Sequence, residues 1–284
     1  MKNDKKGTLK MFIMMRYPEG RKKAFTMSYD DGVFQDIRLM EIMEKNGLKG
    51  TFNFNCGLIG KEDAAEEGRL SERQLKVLFS KPYVEVAVHS YTHPSLTSLT
   101  PELITYEVLR DRERMEEMFG GIVRGMAYPN GSFDDKTVEC LKSCGIVYSR
   151  TTKSTEDFKI ADDWLRLPAT CHHNNPRLFE LGEKFLRETS PKDRECWLFY
   201  LWGHSYEFDR DNNWDRIEKF AETIGGHDEV WYATNIEIYD YIEAYKSLKF
   251  SLSESAVHNP SAIDVWFQNN NGIYKVPSGE TVRL

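Results

Sequence analysis

Hydrophobic and polar positions alternate between two patterns along most of this chain. Short runs that are nearly all apolar or β-branched are separated by longer segments in which apolar residues recur every three to four positions. The short runs are typical of buried parallel strands, and the longer segments are typical of amphipathic helices. The predicted strands cover residues 23–29, 50–55, 84–90, 123–129, 146–152, 165–170, 196–202 and 229–235.

The intervening segments carry residues that begin and end helices. Ser71 and Gln74 have the spacing of a capping box, in which each side chain bonds the backbone N–H of the other. Thr100 suits the N-cap of the next long helix, Pro101 its first position, and Gly120 or Gly121 its C-terminal stop. Helices are therefore predicted between the strands.

Repeated strand-then-helix units favour parallel strands joined by right-handed crossovers. Seven or eight such units fit an α/β fold with a closed or nearly closed barrel better than an open doubly wound sheet. After about residue 249, "NNNG" and "PSGE" separate short extended runs, which predicts a small C-terminal β appendage packed on the barrel. The predicted division is an N-terminal extension (1–22), a (β/α) barrel (23–248) and the appendage (249–284).

Composition narrows the class of protein. The 284 residues are 40% hydrophobic and 29% charged with a net charge of −7, so disorder and a basic nucleic-acid-binding surface are both disfavoured. Five scattered cysteines do not form a disulfide framework. The N-terminal apolar run "MFIMM" is too short for a signal peptide, and no run suits a membrane helix. We therefore expect a cytoplasmic protein. An extracellular or cell-surface location is expected only if an export signal has been removed. No nucleic-acid or membrane partner is expected, and the oligomeric state stays open.

Polar residues that bind metals or move protons stand at the predicted strand ends. Asp30 and Asp31 end the first strand, His89 and His93 follow the third, and His204 ends the seventh. In isolation, the aspartates could begin a turn and the histidines could be unrelated. In barrels, however, function gathers where strands end, and two histidines with one carboxylate leave positions open on a hydrolytic divalent ion.

The order of these motifs resembles a known family. "TMSYDDG" (26–32), "HSYTHPS" (89–95), "AYPNG" (127–131) and "LWGH" (201–204) are similar to successive motifs of the polysaccharide deacetylase family, the NodB-homology group of carbohydrate esterases. The resemblance spans roughly residues 23–240. It implies a distorted (β/α) barrel that removes acetyl groups from N-acetylated sugars with one divalent metal ion, Zn²⁺ first, Co²⁺ or Ni²⁺ as alternatives.

The resemblance also implies roles for individual residues. It makes Asp31, His89 and His93 the metal ligands. It makes Asp30 the general base and His204 the acid that protonates the departing amine. The developing oxyanion is expected to meet a backbone N–H of the turn after the fourth strand, that of Asn130. Residues expected to line the substrate or oxyanion pocket are Tyr128, Pro129, Asn130, Trp164, Trp202, Arg166 and Glu207.

Two of the family's motifs are altered here. Ala127 stands where the family has an arginine that holds the base, and Arg150 or Arg166 could supply that charge instead. Asp162 and Asp163, beside Trp164, could orient the acid histidine or could be solvated turn residues.

Two further features lie near the last motif. His172 and His173 fit a polar loop better than a pocket wall or a metal site. Glu207 follows His204 closely and is expected to raise its pKa.

Three functions remain open at this point. The first is a metal-dependent carbohydrate N-deacetylase. The second is a hydrolase of a non-sugar amide or cyclic ureide on the same barrel. The third is a catalytically silent sugar-binding domain, which would be expected to lack Asp30 or His204.

Overall fold

The fold described here is a computed structural model, which describes residues 12–63, 68–190 and 194–284. Part of the predicted N-terminal extension, residues 1–11, lies outside the described residues. All eight predicted strands overlap observed ones, and they belong to one parallel sheet. Its strands are β2 (Lys23–Asp30), β3 (Gly50–Phe54), β4 (Val84–Val88), β5 (Gly125–Ala127), β6 (Tyr148–Ser154), β7 (Leu167–Ala169), β8 (Cys171–His172), β9 (Trp197–Gly203) and β10 (Val230–Tyr232).

The sheet closes into a distorted barrel through residues 167–172. The strands follow the order β6-β5-β4-β3-β2-β9, and β7 pairs with β6 at one end of this row while β8 pairs with β9 at the other. Only Thr170 separates β7 from β8, so one short stretch of chain pairs with both ends of this row of strands. The Thr170 N–H donates to the Tyr200 carbonyl (2.9 Å). The predicted α/β barrel of seven or eight parallel strands is confirmed.

Strand β10 distorts the other side of the barrel. It pairs with the amino half of β2 (Lys23–Phe25), whereas β3 pairs with the carboxyl half (Met27–Asp30). β2 therefore has neighbours along its whole length, and each of its eight residues is buried. A strand buried on both faces holds the residue at its carboxyl end rigidly, which matters because that residue is Asp30.

Helices cover the outside of the sheet, and their ends agree with the predicted caps. Ser71 and Gln74 form the capping box, Thr100 accepts from the Leu103 N–H, and Gly120 adopts the left-handed conformation (φ +71°) that ends the helix. None of the described helices is long and apolar enough to cross a membrane. The helices are α1 (Asp36–Lys45), α2 (Glu72–Phe79), α3 (Pro101–Phe119), α4 (Asp135–Ser143), α5 (Leu178–Arg187), α6 (Tyr206–Arg210), α7 (Trp214–Ile224) and α8 (Asn235–Lys246).

Residues 249–284 contribute strands to two small antiparallel sheets, one of which also includes β1. β1 (Met14–Arg16), β13 (Val265–Asn269) and β14 (Gly272–Val276) form one. β11 (Lys249–Phe250), β12 (Ala256–His258) and β15 (Thr281–Arg283) form the other. A strand from before the barrel thus pairs with one from after it, and the division into three units stays a prediction.

Candidate active site

The carboxyl ends of three barrel strands bring the five principal candidate residues together. The Asp30 Oδ2 atom lies 4.0 Å from His89 Nε2 and 3.7 Å from His204 Nε2. The Asp31 Oδ1 atom lies 3.9 Å from His93 Nε2. Two carboxylates and three imidazoles therefore share one small region at the carboxyl edge of the barrel.

Asp31, His89 and His93 form a set suited to a divalent ion. One ligand atom from each lies within 4.8 Å of the other two. His89 Nδ1 is 2.9 Å from the Ala127 carbonyl oxygen, which can only accept, so the ring proton is on Nδ1 and the Nε2 lone pair is free. Burial lowers the pKa of His89 to about 4, so the ring is neutral at pH 7, as a ligand must be.

Helix α3 fixes the loop that carries the two histidines. The carboxylate of Asp111 accepts from the His89 N–H (3.0 Å) and from the Cys56 N–H (2.7 Å). One turn earlier, Glu107 accepts from the Thr92 N–H and hydroxyl, both at 2.7 Å. The sequence analysis missed both carboxylates; the signal available was two acidic residues four apart on the face that also buries Ile104 and Val108.

Unusual backbone conformations concentrate at this site. Four of the eight described non-glycine residues with positive φ lie here: Asp31 (86°), Ser90 (62°), His93 (60°) and Asn130 (55°). Such conformations cost free energy and persist where the surrounding contacts hold them, frequently at functional sites. Asp31 is held by Arg69, whose guanidinium lies 3.1 Å from Oδ1 and which the sequence analysis also missed.

Arg150 supplies the charge that Ala127 lacks. Its guanidinium contacts Asp30 Oδ2, while the Asn53 side-chain amide donates to Oδ1 (2.9 Å). Ala127 on β5 and Arg150 on β6 are register partners, so the guanidinium arrives at the same level of the barrel from the next strand. Burial opposes ionisation of Asp30, but Arg150 and two nearby histidines outweigh it and lower the pKa of that carboxyl.

His204 lies between Asp30 and Glu207. Its Nδ1 atom is 3.7 Å from Glu207 Oε1. Burial lowers the pKa of His204, but the contact with Glu207 and the charges of Asp30 and Asp31 raise it by more, so the net shift is upward. The contact expected between Glu207 and His204 is present, and its role in a reaction stays a prediction.

The other predicted pocket residues divide into two groups. Trp202 borders the site, with the Arg150 guanidinium carbon 4.5 Å from its ring centre. The turn Pro129–Gly131 lies at the end of β5, and the Tyr128 hydroxyl donates to the Leu165 carbonyl (2.8 Å). Asn130, at the centre of the turn, is exposed.

Arg166 is engaged at the surface, whereas Trp164 shares a core cluster with Trp202. Trp164 is buried in a second core cluster, edge-on to Tyr239. Arg166 pairs with Asp163 and Asp135 at the surface. Asp163 also accepts from the Leu165 N–H, as a turn residue does, and Asp162 is exposed.

His172 and His173 approach the far side of Glu207. Both Nε2 atoms lie 3.0 Å from Glu207 Oε2, and the His173 ring is fully buried. The sequence analysis left these two histidines without a role. Their convergence on the carboxylate that faces His204 places them beside the site.

Comparisons with known proteins bear on the family and the fold. The family model described as polysaccharide deacetylase matches residues 17–149. Chitin deacetylase 1 of Cryptococcus neoformans is 24% identical over 177 residues, which cover 60% of this chain and 35% of that protein. The chain spans less than half the length of the curated relatives it matches.

Two solved structures share the fold. A candidate polysaccharide deacetylase from Mycobacterium smegmatis is 18% identical, with a TM-score of 0.60 over 82% of this chain and 94% of that one. A CE4 family pseudoenzyme from Bacillus anthracis is 18% identical, with a TM-score of 0.51 over 79% of this chain and 67% of that one. The resemblance of this chain to the polysaccharide deacetylase family, first indicated by its motifs, is confirmed.

Proposed function

We propose that this chain is a metal-dependent deacetylase that hydrolyses the acetamide of an N-acetylated sugar or polysaccharide. The observation that carries the proposal is the position of Asp30, whose Oδ2 lies 4.0 Å from His89 and 3.7 Å from His204. Because a pseudoenzyme has the same fold, the fold alone does not show whether this chain is active. The proposal therefore depends on the side chains present.

Asp31, His89 and His93 would hold the ion. Two imidazoles and one carboxylate suit Zn²⁺, with Co²⁺ or Ni²⁺ as alternatives, and the tautomer of His89 leaves Nε2 free to coordinate. When bound, such an ion acts as a Lewis acid toward the amide carbonyl and lowers the pKa of water.

The protein's own groups then move the protons. Asp30, kept anionic by Arg150 and Asn53, accepts the proton of the attacking water. His204, whose pKa is raised, donates a proton to the departing nitrogen, because an amide anion is a very poor leaving group. The N–H of Asn130 stabilises the negative charge that develops on the carbonyl oxygen.

Acetate release from chito-oligosaccharides, with Zn²⁺, Co²⁺ or Ni²⁺ supplied, tests this function. Asp30→Asn should abolish turnover and leave metal content unchanged, because Asp30 is not one of the proposed ligands. A matched assay with cyclic ureides separates the two hydrolase functions.

Three outcomes would contradict the proposal. Turnover of a ureide without acetate release would identify the other amide substrate. Metal binding without any turnover would indicate a silent domain. Substantial activity of Asp30→Asn would move the base to another residue.

A further inference from the structure

Glu207 has three histidine neighbours, and they divide between its two oxygens. Oε2 lies 3.0 Å from Nε2 of both His172 and His173. Oε1 lies 3.7 Å from His204 Nδ1 and 3.6 Å from the exposed Arg210 guanidinium. One oxygen thus faces the proposed acid, and the other faces two histidines to which no role has been given.

We propose that His172 and His173 are positioning residues, which hold Oε2 of Glu207 between their two Nε2 atoms and so keep Oε1 directed at His204. This inference rests on the proposed function, because it assigns the two histidines to the same reaction. It requires both rings to carry their proton on Nε2.

The surroundings of His172 favour that tautomer, and those of His173 are compatible with it. The Asn174 N–H donates to His172 Nδ1 (3.2 Å), so a neutral His172 has its proton on Nε2. His173 Nδ1 lies 3.2 Å from the Tyr29 hydroxyl, which donates to it when the ring proton is on Nε2. Burial lowers the pKa of His173 to about 4, so this ring is neutral.

The same reasoning separates this cluster from the metal set. His172, His173 and Glu207 also bring three ligand atoms within 4.8 Å of one another. In His89, however, Nδ1 donates to a carbonyl oxygen, which leaves the Nε2 lone pair free. In a neutral His172, Nδ1 accepts a hydrogen bond from a backbone N–H, so the ring proton is on Nε2. A protonated nitrogen cannot coordinate, so the second cluster is suited to stabilising a carboxylate.

Packing holds both rings where they meet Glu207. The His173 ring centre is 4.2 Å from that of Phe208 and 5.7 Å from that of Tyr29. A Cβ added at Gly203 would lie 2.0 Å from His173 Nδ1, so the glycine before His204 makes room for this ring. His172 lies edge-on to Trp202 at 4.6 Å.

A buried carboxylate needs donors to remain ionised. Glu207 is 91% buried, and Arg210, the arginine near it, is exposed. The two Nε2 atoms, each 3.0 Å from Oε2, can hold the carboxylate in place while leaving its charge available to His204. A fixed partner that orients a catalytic histidine through one oxygen is a common outer-shell arrangement.

The test compares variants that keep a donor with variants that remove it. His172→Gln and His173→Gln retain an amide N–H near the Nε2 position, whereas His172→Phe and His173→Phe retain only the ring. His258→Phe, on β12 of the appendage, is the matched control. We expect the two Phe variants to lose roughly 10- to 100-fold in kcat for acetate release with KM little changed, and the Gln variants to recover most of it.

A double-mutant cycle asks whether the histidines act through Glu207. In a Glu207→Gln background, His173→Phe should cause little further loss, because the carboxylate it positions is gone. An equal loss in both backgrounds, or Phe variants as active as the native protein, would overturn the inference. Circular dichroism and metal content show whether each variant is folded.

Long-range ¹H–¹⁵N NMR of the native protein provides a readout that does not depend on activity. His172 and His173 should both show the Nε2–H tautomer. Rings protonated on Nδ1 would defeat the inference. A second equivalent of Zn²⁺ that His173→Phe removes would also defeat it and would identify the cluster as a metal site. Native protein with these tautomers but no acetate release would reject the proposed function while leaving the contact with Glu207 established.

Discussion

At the scale of single residues, Glu207 contributes to the raised pKa of His204. The pKa of His204 is raised because Glu207, Asp30 and Asp31 together outweigh the effect of burial. An acid works only while protonated, so activity is expected to fall as the pH rises through this pKa. Glu207→Gln removes one negative charge and should move the alkaline limb of the kcat profile to lower pH.

The measurement is kcat against pH for acetate release, with metal content determined at each pH. Asp209→Asn, which changes a carboxylate two residues further along α6, is the control. An alkaline limb in the same place for Glu207→Gln and the native protein would show that another group sets it.

Arg150 shows what a single position in the sequence cannot reveal. The family that this chain resembles has an arginine at the position of Ala127, and the sequence offers both Arg150 and Arg166 as substitutes. The choice depends on register: Ala127 pairs with Arg150 across two strands, whereas Arg166 lies in a surface turn between two aspartates. Register between strands distant in sequence is a property of the folded sheet.

At the scale of secondary-structure elements, α3 ties the proposed metal ligands to the rest of the barrel. Asp111→Ala would leave the buried N–H groups of His89 and Cys56 without their acceptor. Each unsatisfied buried group costs about 1–3 kcal/mol in the free energy of unfolding. Because His89 would also lose its backbone anchor, the affinity for Zn²⁺ should fall roughly 10- to 100-fold.

Urea unfolding and competition with a zinc chelator measure these two effects. Glu113→Ala is the control on the same helix, because Glu113 is exposed and pairs with Arg110 at the surface. A loss of stability with unchanged zinc affinity would make Asp111 a structural residue only.

The elements themselves could largely be predicted, because their signals are local. An apolar run of the right length indicates a buried strand wherever it pairs, and all eight were found. Glu107 and Asp111 were missed because their partners are backbone N–H groups of distant loops, which no periodicity reveals. The sequence analysis also missed that residues 167–172 pair first with β6 and then with β9, because this pairing too depends on segments distant in the sequence.

At the scale of the whole molecule, the appendage and the candidate site lie at opposite ends of the barrel. The site is built on the carboxyl ends of β2, β4 and β9. β1, which pairs with β13 of the appendage, lies at the amino ends: Met15 contacts Cys196 just before β9, and Tyr17 packs on Trp231 of β10. Stability contributed by the appendage should therefore be separable from chemistry at the site.

Phe267 on β13 tests that separation. It is fully buried, with its ring centre 5.4 Å from that of Tyr274 and 5.6 Å from that of Phe250. Phe267→Ala should lower the free energy of unfolding by about 3–5 kcal/mol, whereas Ile273→Ala, at a half-exposed position of β14, should cost much less. Below the unfolding transition, the Phe267 variant should keep the native zinc affinity and kcat, because the strand ends that hold Asp31 and His89 are anchored by α3 and β2. Loss of zinc binding in a still-folded Phe267→Ala protein would show that the appendage shapes the site across the full length of the barrel.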